Sequence, residues 1–131
     1  NGVNLADNNC NDINITAIKE AQKFADFFHS TLIILHPGYN GDINNVNFLL
    51  NKFNDSRFCM ENMQGITVDK KLRCNGITYK ELKQINVNNY CLDISHAIKS
   101  AITLNKDIYE QIKIKTTEKE REKCVIKLMK D

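Results

Sequence analysis

Short apolar runs alternate with segments of helical spacing along most of this chain. The runs Thr31–Leu35, Arg57–Met60 and Tyr90–Leu92 are typical of short strands buried in a sheet. The segments of helical spacing are residues 15–29, residues 43–53, a stretch opened by the capping box Thr78-x-x-Glu81, and the stretch from Ala97 onward. Strands that alternate with helices predict βαβ units and a parallel sheet, so we predict an α/β fold.

The three predicted strands are too few for a closed β/α barrel, which has eight. Right-handed crossovers would still place their carboxyl ends at one edge of the sheet, where barrels of this type build their sites. We therefore expect residues 1–131 to form a single domain that holds only a central portion of a TIM-barrel type β/α fold. Residues 113–131 contain a second capping box, Thr117-x-x-Glu120, and predict a final amphipathic helix outside that portion.

The composition predicts a globular protein of the cytoplasm. Apolar residues make up 42% of the chain and charged residues 26%, which argues against disorder. The net charge of +2 is too small to indicate nucleic acid or a membrane by itself, and neither a membrane span nor a signal peptide is visible. The cysteines are odd in number, contain no C-x-x-C pair and fit reduced thiols: Cys10, Cys59, Cys74, Cys91 and Cys124.

Imidazole and carboxylate groups follow each of the predicted strands. His36 follows the first strand, Glu61 closes the second, and Asp93 and His96 follow the third. If the strands lie side by side and parallel, these four groups converge on one small volume. Imidazole and carboxylate ligands suit zinc, manganese or iron, and a carboxylate such as Glu61 can bridge two ions.

Each of these residues also has an ordinary structural explanation. His36 precedes Pro37-Gly38 and could be a turn residue, Asp93 could cap the following helix, and His96 could be a satisfied core histidine. Glu61 is harder to explain, because burying a carboxylate without a partner costs free energy. The recurrence at three successive strand ends favours a shared site.

The motifs at these strand ends resemble those of a known family. They are His36-Pro37-Gly38, then Glu61-Asn62-x-x-Gly65, then Cys91-Leu92-Asp93-x-x-His96-Ala97. In order and rough spacing they are similar to the motifs of endonuclease IV, the metal-dependent apurinic/apyrimidinic endonuclease among the xylose-isomerase-like β/α barrels. The resemblance covers residues 4–105. It implies two or three zinc ions, with manganese as an alternative.

The resemblance also implies roles for single residues. His36 would hold a first zinc, Glu61 would bridge it to a second, Asp93 would bind the second, and His96 a third. Glu61 would be the catalytic residue in cleavage of double-stranded DNA on the 5′ side of an abasic sugar. The family's remaining ligands come from later strands, and no histidine follows Ala97 here. Catalysis would therefore require that the missing strands be supplied.

Loops after the strands would contact the DNA under this hypothesis. The candidates are Tyr39, Asn40, Lys70, Lys71 and Arg73. A partly buried loop tyrosine and a solvated basic loop are the competing interpretations of the same residues.

Two other functions remain open. The first is a sugar isomerase or epimerase of the same barrel superfamily, with one divalent ion held by Glu61 and Asp93 among others. The second is a non-catalytic partial barrel that associates with another copy or another chain through its open sheet edges.

Overall fold

The protein has an α/β fold built on an open sheet of three parallel strands. The computed structural model describes residues 2–66 and 71–104, so the predicted helix in residues 113–131 lies outside the described residues. The strands are β1 (Ile33–Leu35), β2 (Phe58–Glu61) and β3 (Asn89–Cys91), and the helices are α1 (Asn11–Phe27), α2 (Ile43–Phe53), α3 (Tyr79–Leu82) and α4 (Ile94–Leu104).

The strands lie in their chain order, β1-β2-β3. Leu35 of β1 lies opposite Met60 of β2, and Glu61 of β2 lies opposite Cys91 of β3. Because both pairs of strands are parallel, all three carboxyl ends meet at one edge of the sheet. The predicted parallel sheet is confirmed.

The hydrophobic core covers one face of this sheet. Successive side chains of a strand point to opposite faces, and the core face of the strands carries Ile33, Phe58 and Met60. Side chains of α1 and α2 pack against them: Ile18, Ala25, Val46, Leu49 and Leu50. On the opposite face, Ile34 of the edge strand β1 is 54% exposed. One face is therefore buried under helices while the other is open at β1.

Two helices begin earlier than the apolar spacing predicts. Helix α1 begins at Asn11, and its first turn contains Asn14, a fully buried polar residue that hydrogen-bonds with both the backbone N–H and the carbonyl of Asn4. Helix α4 begins at Ile94 rather than Ala97, which brings His96 into its first turn. Within residues 2–66 and 71–104, no helix combines the length and apolar character that crossing a bilayer requires.

The cysteines of the described ranges are free thiols, as their spacing predicts. Cys10, Cys59 and Cys74 are buried, and Cys91 is half-buried next to β2. Burial raises the pKa of Cys59 and Cys74, so both remain protonated and unreactive at neutral pH. These thiols contribute to packing.

Candidate metal centre

The four predicted ligand residues come together at the carboxyl edge of the sheet. His36 follows the last residue of β1, and Glu61 is the last residue of β2. Asp93 lies in the turn between β3 and α4, and His96 lies in the first turn of α4. Because the strands are parallel and adjacent, these positions become neighbours in space although they are far apart in the chain.

Glu61 lies between the two histidines. Its Oε2 is 3.3 Å from Nε2 of His36, and its Oε1 is 3.3 Å from Nδ1 of His96. The two imidazole rings lie 6.4 Å apart, centroid to centroid. The Glu61 side chain is 13% exposed, whereas the His36 side chain is 55% exposed and forms the open side of the cluster.

Asp93 both caps α4 and belongs to the cluster. Its Oδ1 accepts a hydrogen bond from the backbone N–H of His96 at 3.0 Å, and its Oδ2 lies 3.7 Å from Nδ1 of the same residue. The hydrogen bond from the His96 backbone and one from the Ser95 side chain lower the pKa of Asp93 to about 2. Asp93 is therefore a carboxylate at neutral pH, the form that binds metal.

Three of the four residues have the geometry of a cation site. Glu61, Asp93 and His96 each offer a ligand atom, and these atoms lie within 4.8 Å of one another. Within residues 2–66 and 71–104, the ion pairs of the Glu61 and Asp93 carboxylates are with histidine alone. Two carboxylates at this proximity repel each other, so a divalent cation between them would be stabilising. One nitrogen and two oxygen donors fit zinc or manganese.

A buried asparagine connects the cluster to the backbone. Asn62 is 5% exposed, its Oδ1 accepts from the backbone N–H of Asp93 at 2.6 Å, and its Nδ2 donates to the carbonyl of Asp93 at 2.9 Å. Its own carbonyl lies 2.9 Å from Nδ1 of His96. Sequence reasoning did not assign Asn62 a role. The sequence did contain one signal for this role: Asn62 is a polar residue directly after a buried strand, and a buried polar side chain needs hydrogen-bond partners.

The loop after β1 is held in a conformation that requires glycine. Gly38 has a φ of +91°, and a Cβ at this position would lie 2.1 Å from Oδ1 of Asn4. That oxygen instead accepts from the backbone N–H of Tyr39 at 3.0 Å. The close approach of Gly38 to Asn4 allows this hydrogen bond, which holds the turn that follows His36.

Three of the five predicted DNA-contact residues form a second group, in two adjoining loops. Asn40 donates its backbone N–H to the carbonyl of Arg73 at 2.9 Å, and its Oδ1 accepts from the Arg73 N–H at 3.0 Å. Tyr39 forms a bridge with Cys74, and the Arg73 guanidinium pairs with Glu81. Lys71 precedes Arg73 in the same described segment, and Lys70 lies outside the described residues. The structure thus places Tyr39, Asn40 and Arg73 side by side.

Comparison with known proteins identifies no relative: no family model, no curated protein and no solved structure matches this chain. The functional interpretation therefore depends on the geometry of the cluster. That geometry consists of a carboxylate between two imidazoles, with a second carboxylate beside one of them.

Proposed function

We propose that the cluster binds divalent metal ions and that the protein cleaves DNA at abasic sites in the manner of endonuclease IV. The observation that carries this proposal is the position of Glu61, whose two carboxylate oxygens face different histidines, His36 and His96. A carboxylate oriented in this way is suited to bridging two ions. Asp93 adds a second ionised oxygen ligand on the His96 side.

The residues of the cluster have separate parts in this proposal. Paired ions supply hydroxide at neutral pH and stabilise the charge on the leaving oxygen of a phosphodiester. His36 is half exposed and would hold the ion on the solvent side, where a backbone phosphate can approach. Asp93 and His96 would hold the inner side, since both are less exposed than His36.

The order of the strands supports the descent of this domain from a β/α barrel. In a doubly wound sheet the order of the strands reverses part-way across the sheet, and helices cover both faces. In a β/α barrel, strands that follow each other in the chain are neighbours, and the helices lie on the outside. Here the order is β1-β2-β3, and α1 and α2 pack on one face. The open face at Ile34 then corresponds to the barrel interior.

The loop group Tyr39, Asn40 and Arg73 is the proposed DNA-contact surface. It begins three residues after His36, so DNA bound there would lie next to the cluster. A tyrosine can stack on an exposed base or sugar ring, and asparagine and arginine can donate to phosphate oxygens. Lys70 and Lys71 precede Arg73 and would add positive charge to the same surface. The proposed substrate is double-stranded DNA with an abasic site.

A sugar isomerase or epimerase is the second candidate function. The observation that favours it is that Glu61, Asp93 and His96 alone satisfy the geometry of a one-ion site, without His36. A single ion there would polarise a sugar carbonyl during proton transfer. The number of bound ions separates the two candidates, because the isomerase needs one and the nuclease needs two or three.

The test combines metal analysis with an incision assay. The purified protein is loaded with Zn²⁺ or Mn²⁺, its metal content is measured by elemental analysis, and duplex DNA with one abasic site is added. We expect at least two ions per chain and a single cut 5′ to the abasic site, while an intact duplex stays uncut. One ion per chain and no incision would favour the isomerase. No bound metal would overturn both candidates.

A further inference from the structure

We infer that Asn62 is a positioning residue of the metal centre. It contacts no candidate substrate and is not itself an ionisable ligand. Its side chain holds the backbone of Asp93, and its carbonyl holds the imidazole of His96, so one buried residue orients two ligands. The inference extends the proposed metal site, and its first test does not depend on metal or on nuclease activity.

The side chain of Asn62 acts as a two-point clamp across neighbouring strands. It accepts from the Asp93 N–H at 2.6 Å and donates to the Asp93 carbonyl at 2.9 Å. These two hydrogen bonds hold both the backbone N–H and the carbonyl of Asp93, so they restrain this residue against both shifting and rotating. Asp93 in turn accepts from the His96 N–H, so the clamp also sets where α4 begins. The positions of both ligands depend on this contact.

The carbonyl of Asn62 faces Nδ1 of His96 and sets the tautomer of this imidazole in the metal-free protein. Three oxygen atoms surround Nδ1 of His96: the Asn62 carbonyl at 2.9 Å, Glu61 Oε1 at 3.3 Å and Asp93 Oδ2 at 3.7 Å. All three are acceptors, so Nδ1 carries the proton. Nε2 then keeps its lone pair in the metal-free protein. A histidine ligand that donates its other N–H to a carbonyl is a common support in metal sites, since the bond fixes both tautomer and ring orientation.

The first test measures the tautomer of His96 in the metal-free protein. A proton–nitrogen correlation spectrum of protein with nitrogen-labelled histidine, taken at about pH 8 where histidines are generally neutral, distinguishes a protonated Nδ1 from a protonated Nε2. The chain has three histidines, so His29→Asn and His36→Asn assign the signals. We expect His96 to carry its proton on Nδ1. A His96 protonated on Nε2 would overturn the assignment of the carbonyl.

The second test removes the clamp and measures metal affinity. We expect Asn62→Ala to weaken Zn²⁺ binding by roughly 10- to 100-fold, the usual effect of losing a supporting contact behind a ligand. Binding is measured by competition with a chromophoric chelator. The same spectrum of Asn62→Ala should keep His96 protonated on Nδ1, because alanine retains the backbone carbonyl, so the lower affinity would come from loss of the side-chain clamp on Asp93.

Asn47 provides a matched control, because it forms the same kind of clamp elsewhere. Its Oδ1 accepts from the Asn86 N–H at 2.7 Å, and its Nδ2 donates to the Gln84 carbonyl at 2.8 Å. This loop leads into the amino end of β3, at the edge of the sheet opposite the cluster. Asn47→Ala should lower stability but leave Zn²⁺ affinity unchanged.

The outcomes separate this inference from the proposed function. If the wild-type protein binds no Zn²⁺, the proposed function fails, while the tautomer of His96 still tests the orienting contact. If the wild-type protein binds Zn²⁺ and Asn62→Ala binds it as tightly as Asn47→Ala does, Asn62 is not a positioning residue. If Asn62→Ala does not fold, the tautomer in the wild-type protein decides.

Discussion

Oε2 of Glu61 lies 3.3 Å from Nε2 of His36, although Glu61 ends β2 and His36 follows β1. The contact exists because β1 and β2 are parallel and Leu35 lies opposite Met60, so the residues that follow in each strand reach the same edge. It leaves the other oxygen of Glu61 facing His96. Glu61 therefore joins ligands from three successive βα turns, and the proposed metal chemistry depends on it.

Replacement of Glu61 by glutamine should remove metal binding without unfolding the protein. Glutamine keeps the shape of the side chain but loses the charge that a bridging ligand needs. We expect Glu61→Gln to lose incision of abasic DNA. Its affinity for Zn²⁺ should fall by roughly 100-fold or more, because loss of a contact that only supports a ligand already lowers metal affinity by up to about 100-fold. Glu20→Gln, which changes an exposed pair with Lys23, is the control and should behave as wild type. Full activity of Glu61→Gln would remove this residue from the mechanism.

His36→Asn should reduce the number of ions that the protein holds. His36 contacts Oε2 of Glu61 but lies outside the group of Glu61, Asp93 and His96, so its loss should affect the outer ion and leave the three-ligand group intact. We expect elemental analysis to show one ion fewer per chain than in the wild-type protein. His29→Asn is the matched control, since His29 lies at the end of α1 with a φ of 53°, which asparagine tolerates. An unchanged metal count in His36→Asn would favour the one-ion isomerase.

The ion pair between Asp55 and Arg57 should make stability depend on acid pH. The Arg57 guanidinium lies 2.7 Å from Oδ2 of Asp55 and holds the pKa of that carboxyl well below its ordinary value of about 4. A lowered pKa in the folded state means that the stabilisation is complete above about pH 4 and declines as the pH falls further.

Asp55→Asn tests this dependence directly. Asparagine keeps the size of the side chain but cannot form the ion pair. We expect the free energy of unfolding to fall by about 1.5–3 kcal/mol at neutral pH, the range for a hydrogen bond to a charged group. Urea denaturation at a series of pH values should show this difference shrinking below about pH 4. A difference that stays constant down to about pH 2 would contradict the assignment.

Gly38→Ala should destabilise the turn after His36. The added Cβ would meet Oδ1 of Asn4, and the positive φ of +91° is itself unfavourable for alanine. We expect a loss of about 2–3 kcal/mol in the free energy of unfolding, measured by urea denaturation, together with weaker Zn²⁺ binding through displacement of His36. Gly2→Ala has open space around the new Cβ and should be neutral.

The alternation of helix and strand could be predicted because it is a local property. Helix α2 has the predicted bounds, since its apolar spacing and the Asp42 cap both define it within a few residues. The start of α1 was missed because Asn14 is buried through hydrogen bonds to Asn4, and polarity alone indicates an exposed residue. The apolar spacing placed the start of α4 at Ala97, whereas the alternative that Asp93 caps the following helix agrees with the observed start at Ile94. The barrel-type architecture stays a prediction, because three strands are compatible with more than one closed or open fold.

The candidate ligands could be predicted from the sequence, whereas the hydrogen bonds that hold them in position could not. His36, Glu61, Asp93 and His96 are recognisable because their side chains suit metals and because each follows an apolar run. Asn62 has no such chemical mark. Its importance arises from two hydrogen bonds to a residue on another strand, and those bonds depend on the register between β2 and β3. Contacts with DNA stay a prediction for Tyr39, Asn40, Lys70, Lys71 and Arg73.

The amino-acid order alone determined where strands stop and which reactive groups follow them, because apolar periodicity and turn-forming residues act over short distances. Only the tertiary structure decided that the oxygens of Glu61 face two different imidazoles and that the Asn62 carbonyl lies 2.9 Å from Nδ1 of His96. Those relationships join atoms on separate strands. Strand register, which results from packing of the whole sheet against α1 and α2, determines them.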